Sequence, residues 1–289
     1  MNALLHQILS GLATGGIYAS VALALVMIYQ ATHLVNFAQG ELAMFSTYIA
    51  WALIEAGVPY WGAFALTVVF AFVLGVVIER VIVRPVEDAP ILAIVIVFIA
   101  LLVIFNSMAG WIFTYTIKPF PSPFPTEPLF GNSYLSSHEL GSMGITLVVL
   151  LLLFVFFRFT PLGLAMRAAA QNPVSSRLVG IRVGWMLALG WGLAAAIGAI
   201  AGMMVAPVVF LEPNMMGGIL LYAFAGALLG GIDSPGGAVI GGFIVGVLEN
   251  VVGAYVGTEL KLTVALVLIV GVLVVRPSGM FGQVHVNRV

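Results

Sequence analysis

The chain has 289 residues, of which 62% are hydrophobic and 7% charged, with a net charge of −1 and a mean hydropathy of +1.19. A soluble chain carries about a quarter charged residues, so this composition excludes a soluble globular domain, and the near-neutral charge excludes nucleic acid as a partner. There is no cysteine, which removes disulfides, thiolate metal sites and thiol catalysis.

A helix needs roughly 20 mostly apolar residues to cross about 30 Å of hydrocarbon. The chain has room for eight or nine such spans and none for a second, soluble domain. Met1-Asn2-Ala3-Leu4 lacks the basic start of a signal peptide, so the first apolar run is expected to stay as a span. In chain order the expected spans are Leu4–Ile28, Leu42–Ala56, Trp61–Val83, Pro90–Ala109, Ser142–Phe157, Gly184–Val209, Gly218–Ile232, Gly236–Tyr255 and Leu262–Val275.

The polar stretch Tyr29–Glu41 separates the first two spans. It holds too many polar groups to face lipid, so an irregular or re-entrant backbone is expected there, covered by protein. Three full spans before Arg80 would place the N-terminus outside; a re-entrant or broken Leu34–Tyr48 would leave eight spans and the N-terminus inside.

The eight arginines follow the positive-inside rule. Arg80 and Arg84 flank one span end; Arg158, Arg167, Arg177 and Arg182 surround one loop; Arg276 and Arg288 lie at the C-terminus. Two spans separate the first two groups and four separate the last two, so all eight share a cytoplasmic side. Lys118 and Lys261 then fall outside, and the turn Asp233-Ser234-Pro235 inside. The outer segment Lys118-Pro119-Phe120-Pro121-Ser122-Pro123-Phe124-Pro125 reads as an extended, stiff strip, since each proline fixes φ and removes a donor. It is either a spacer or an edge for an external partner.

The segment 159–183 is too polar to span. Leu162–Ala170 is rich in helix formers. Asn172 suits an N-cap, Pro173 a first helical position and Gly180 a C-terminal stop. Two short helices with a break are expected, the first with an apolar stripe at Leu162, Met166 and Ala169. So short a helix needs a surface to pack on, either this protein's own helix ends or a partner.

Gly226 and Gly230, Gly237 and Gly241, and Gly242 and Gly246 have the four-residue spacing that lets helices approach closely in lipid. Glu41 and Glu249, beside Asn36 and Asn250, are the clearest ionisable groups in apolar runs. A charge there faces a cavity or a partner, so these residues and Gln39 are candidates for a pathway or gate, or for interhelical hydrogen bonds. His6, His33, His138 and His285 have no metal-ligand spacing. No Gly-x-x-x-x-Gly-Lys loop occurs, so any ATP would be bound by another chain.

Three separated motifs resemble the branched-chain amino-acid ABC transporter permeases of the LivH type. They are Gly15-Gly16-Ile17-Tyr18-Ala19 with Val35-Asn36-Phe37-Ala38-Gln39-Gly40-Glu41; Arg167-Ala168-Ala169-Ala170-Gln171-Asn172-Pro173 with Arg177-Leu178-Val179-Gly180-Ile181; and Gly226–Gly231 with Ser234-Pro235-Gly236-Gly237-Ala238-Val239-Ile240-Gly241-Gly242, ending at Leu248-Glu249. Gln39 stands where many members have histidine, and Asp233 makes the late turn more acidic than usual.

The resemblance implies an all-α integral membrane protein: a polytopic bundle of 8–9 transmembrane helices with a cytoplasmic coupling helix pair. It implies one transmembrane permease domain over 1–289, with a coupling segment 159–183 and an outer-face loop 110–141. It further implies that Gly163, Leu164, Met166, Arg167, Ala168, Ala169, Gln171, Asn172, Pro173, Arg177 and Gly180 couple to ATPases. The implied partners are a second LivM-like permease, two ATP-binding cassette ATPases that hold ATP-Mg, and a periplasmic substrate-binding protein. No cofactor would be bound by this chain, no reaction catalysed by it, and its place would be the bacterial inner membrane. Importers of urea, amides and aromatic acids resemble the same family. A stand-alone ion-coupled transporter using Glu41 and Glu249, or a passive small-solute channel, are the readings of another class.

Overall fold

The computed structural model describes residues 2–32, 35–125 and 136–282. His33, His285, Arg288 and the 126–135 part of the outer-face loop lie outside the described residues. The elements are α1 (Asn2–Thr32), α2 (Gln39–Glu55), α3 (Tyr60–Ile78), α4 (Ile91–Phe113), α5 (Ser137–Phe159), α6 (Pro161–Gln171), α7 (Pro173–Leu178), α8 (Val183–Val209), α9 (Met216–Gly230), α10 (Pro235–Tyr255) and α11 (Lys261–Val275). A wider π turn, Glu79–Val83, continues α3.

Each expected span is a helix. Seven described segments are long and apolar enough to cross a membrane: Ala3–Gln30, Tyr60–Val86, Ile91–Phe113, Ser137–Phe159, Val183–Val209, Pro235–Tyr255 and Thr258–Val275. The expected spans Leu42–Ala56 and Gly218–Ile232 are the shorter helices α2 and α9, of 17 and 15 residues. The irregular stretch is narrower than its polarity suggested. α1 runs on to Thr32, and the chain is helical again from Gln39. The described break is Val35–Ala38, where Oδ1 of Asn36 accepts from the Ala38 amide at 3.0 Å and so turns the chain into α2.

The helices form two compact groups. One comprises Met1–Val26, Phe124–Thr146 and Gly218–Val289; the other Met27–Pro123 and Leu147–Gly217. Three of the four crossings between them fall inside α1, α5 and α9, which is why no linker is visible in the sequence.

In the second group α8 is the axis, packed against α2, α3 and α6. Its most apolar stretch is 72% buried, against 22% for α4. α3 and α8 touch backbone to backbone. A Cβ on Gly75 would fall 2.5 Å from the Trp191 carbonyl oxygen, and one on Gly192 2.9 Å from that of Phe72. Trp191 is buried, its ring 5.7 Å from that of Phe98. In the first group the spaced glycines do what their pattern promised. Gly226 and Gly241 meet across α9 and α10, and Gly246 meets Gly15 of α1.

The charge asymmetry read along the chain is also present in space, within each group. In the second, the Arg80 guanidinium lies 3.8 Å above the Trp185 ring, and the Arg84 guanidinium lies against Gly184, so the end of α3 and the start of α8 share one side. At the other end Lys118 pairs with Leu211 as an antiparallel bridge and sits 4.5 Å over the Trp51 ring. In the first group the turn after Arg276 hydrogen bonds to the end of α9 through Phe281 N to Gly230 O at 2.9 Å, while Lys261 reaches Glu249 near the far end of α10. At the lysine end of the second group, α4 and α8 both stop at a non-glycine residue of positive φ: Thr114 at 68° and Phe210 at 65°.

Candidate functional site

The polar segment after α5 folds as the expected helix pair, for identifiable local reasons. Thr160 Oγ1 accepts from the Gly163 amide at 3.0 Å and starts α6; Pro161 takes the first position. Asn172 Oδ1 accepts from the Ser175 amide at 2.9 Å and starts α7. Each cap satisfies a helix-end donor that would otherwise be orphaned. Gly180 ends the pair with φ of +85°, a conformation glycine adopts without steric cost. The Thr160 cap had no counterpart in the sequence reading, which began this helix one residue late.

The face that α6 buries differs from the expected stripe. Gly163, Met166 and Ala169 are buried, while Leu162 is exposed. The reason is the close return of α6 onto α5: a Cβ on Gly163 would lie 2.3 Å from the Phe156 carbonyl oxygen. That contact turns the glycine inward and rotates Leu162 out. The proposed coupling residues therefore divide. Gly163, Met166 and Ala169 face the protein's own helices. Leu164, Gln171, Asn172, Pro173, Arg177 and Gly180 are exposed, and Arg167 and Ala168 lie between. Four apolar side chains stand out from this short segment: Leu164 is 60% exposed, Val174 69%, Leu178 84% and Val179 76%. Val174, Leu178 and Val179 were not singled out in the sequence, where no periodicity marks them.

The α1–α2 break supplies the second cluster. Asn36 and Gln39 are fully buried and Glu41 nearly so. Gln39 Nε2 donates to the Ala194 carbonyl of α8 at 2.9 Å, beside Gly198. Asn36 Nδ2 and Gln39 Oε1 have no hydrogen-bond partner among the described residues. Glu41 accepts from Asn106 Nδ2 at 3.3 Å, and the same amide reaches the Pro213 carbonyl at 3.0 Å and Asn214 Oδ1 at 3.1 Å. Asn106 and Asn214 escaped the sequence reading because neither belongs to any of the motifs it recognised.

Glu249 has a different setting, in the other helix group. Its Oε1 lies 2.8 Å from Lys261 Nζ, and its Oε2 accepts from Tyr18 OH at 3.0 Å. Tyr18 stacks on Tyr222 with centroids 5.0 Å apart. Asn250 donates to the Gly246 carbonyl at 3.0 Å and lies 3.5 Å from Glu249 Oε2. Side chains of α1, α9, α10 and α11 thus close around one carboxylate. Among the described residues no three His, Cys, Asp or Glu side chains gather as a metal set.

Comparison with known proteins agrees with the three motifs. Residues 7–273 match the family model described as the branched-chain amino acid transport system permease component. The chain is 32% identical to the high-affinity branched-chain amino acid transport system permease protein LivH of Escherichia coli, over 99% of this chain and 97% of that one. It is 31% identical to the permease protein BraD of the corresponding system in Pseudomonas aeruginosa, over 99% and 98%. Among solved structures, PsaBC from Streptococcus pneumoniae in complex with Fab aligns with a TM-score of 0.47 at 14% identity, covering 96% of this chain and 91% of that one. A helical membrane chain with no nucleotide loop and a capped helix pair beside its arginine-bearing end, matched over nearly its whole length, belongs to the branched-chain amino acid transport permease family.

Proposed function

We propose that this chain is a permease subunit of an ATP-driven, binding-protein-dependent importer of branched-chain amino acids in the bacterial inner membrane. Its partners are a second, LivM-like permease, two ATPases that bind ATP-Mg, and a periplasmic binding protein. The relatives carry the substrate assignment in their names. The mechanical assignment rests on one observation: α8 touches the exposed helix pair near its start and the buried polar turn near its middle.

Met166 Cε lies 3.8 Å from where a Cβ on Gly190 would be, and Gln39 is bonded to Ala194 and abuts Gly198. Gly190 and Gly198 are about 12 Å apart along the helix. Force applied to α6 and α7 by closing ATPases is delivered to α8. An axial shift of α8 carries the Ala194 carbonyl and the turn at Asn36, Gln39 and Glu41 with it. The buried, unpartnered amide atoms of that turn are unfavourable in a resting core and suit a surface that a zwitterionic solute passes. At Gly75 and Gly192 the α3 and α8 backbones approach closely, so an axial shift of α8 is felt directly by α3.

For the membrane topology we infer nine passes, with α2 and α9 counted, and an outer N-terminus; the sidedness of the arginines along the sequence supports this, as does the place of Met27 and Gln30 beside Phe157 and Met166 near the arginine-bearing helix pair.

The test is co-purification in mild detergent with Leu178→Asp and Val174→Asp variants. Both side chains are exposed, so folding and pairing with the second permease are retained, while ATPase subunits and ATP-dependent uptake are lost. Retention of ATPases and normal uptake in both variants would overturn the coupling assignment. Solute movement by this chain alone, without ATP, would overturn the importer reading.

A further inference from the structure

An open groove of about 420 Å³ lies where α6 meets the start of α8, lined by Ala165, Ile181, Arg182, Trp185, Met186 and Leu189. Apart from Arg182 its lining is apolar. It sits at the level where apolar spans end: α8 begins at Val183, and the α3 span closes by Val86. That is the depth of lipid head groups, and Trp185, half exposed, is the residue type that favours it. Val77 and Val81, at the same end of α3, are exposed to the surroundings.

Three guanidinium groups gather here. Arg80 lies over the Trp185 ring, Arg84 against Gly184, and Arg182 directly precedes α8. Glu79, buried and 3.7 Å from Arg80, is also within electrostatic reach of Arg84, and Glu87 is near enough to act on Glu79, so two carboxylates face the three guanidinium groups; Asp88 lies on the exposed connection to α4. Arg84 and Arg182, both exposed, remain at the positive end of the α8 dipole, where cations are disfavoured. An anion at this place relieves both. An apolar groove opening beside it takes hydrocarbon. A free phosphate would use only the charges.

We propose that this is a binding site for an anionic phospholipid of the cytoplasmic leaflet, with its phosphate on Arg84 and Arg182 and an acyl chain in the groove along Trp185, Met186 and Leu189. One wall of the groove is Ala165 of α6, so the bound lipid would contact the helix pair assigned to coupling.

The experiment uses the assembled transporter exchanged into mixed micelles containing equal phosphatidylglycerol and phosphatidylcholine, with retained lipid measured by mass spectrometry after gel filtration. Wild type should retain phosphatidylglycerol preferentially. Replacing Arg84 and Arg182 by alanine should lower that preference roughly 30-fold, at about fivefold per arginine near a charged surface. Gly184→Ala is the gentler variant. Its methyl would lie 2.7 Å from Arg84 Nη2, displacing the flexible end of one side chain, and should lower the preference about fivefold with no change in melting temperature. Equal retention of both lipids by wild type, or unchanged preference in both variants, would overturn the site. Loss of ATPase subunits from the variants with lipid retention unchanged would reassign the groove to the ATPases and also overturn it.

Discussion

The contact between α2 and α8 can be tested with a two-position cycle at Gly198 and Gln39. A methyl on Gly198 would lie 2.6 Å from Gln39 Nε2 and 3.4 Å from Ala43 Cβ. The second distance is tight but tolerable; the first requires the amide to move. Gln39 is fully buried and its 2.9 Å bond to the Ala194 carbonyl is the donor's contact in that site. Displacement therefore loses a bond worth about 1 kcal/mol and leaves an unsatisfied amide at about 1–3 kcal/mol. Alanine in place of glycine in a helix returns about 1 kcal/mol. Gly198→Ala should then destabilise by roughly 1–3 kcal/mol, read as thermal or denaturant unfolding in detergent. In a Gln39→Ala background the methyl meets no amide, and the same substitution should be neutral or stabilising. If Gly198→Ala has the same effect in both backgrounds, Gln39 is not what Gly198 accommodates, and the proposed link from α8 to the polar turn fails. Uptake measured on the same four proteins should fall with the lost contact.

Three further outcomes are expected. Lys261→Met removes the partner 2.8 Å from buried Glu249 and should destabilise by roughly 2–4 kcal/mol, less than for a fully buried pair because a third of the lysine side chain is exposed; adding Glu249→Gln should recover most of the loss and the uptake, as unfolding and transport assays of the double variant would show, whereas a stable but inactive double variant would make Glu249 part of the pathway. Ala169→Asp should abolish folded yield, since Ala169 is completely buried and an unpaired charge there is prohibitive, while Leu164→Asp, on the exposed face, should purify with an unchanged melting temperature. Replacing Thr114 or Phe210 by glycine should stabilise the fold by about 1 kcal/mol each, and so raise the melting temperature, because both hold a positive φ that a side chain disfavours; a lower melting temperature in both would show that their side chains matter more than the strain.

The expected helix pair survives scrutiny at its ends better than along its faces. Asn172 and Gly180 act where the sequence placed them because capping is a local matter of a side-chain oxygen three residues from an amide, or a backbone that only glycine adopts easily. Leu162 did not face inward as its spacing suggested, since an alanine- and glycine-rich helix presents nearly equivalent faces, and the choice was made by the Phe156 carbonyl pressing on Gly163.

The same division runs through the whole molecule. The apolar spans and the grouping of the arginines between them are properties of the sequence by itself, since water and lipid sort residues by hydropathy. The glycine spacings likewise announced close packing. What they packed against was decided only in three dimensions: Gly226 by Gly241, Gly246 by Gly15, Gly75 by Trp191. Tyr18 and Glu249 are 231 residues apart, and Gln39 and Ala194 155. Helices that are apolar all round carry no stripe to fix their rotation, so neighbours are chosen by shape and by the few polar atoms that must find one another. The tertiary structure therefore separated Glu41, held by a single asparagine amide, from Glu249, closed in by a lysine and a tyrosine, although the sequence presents the two as equals.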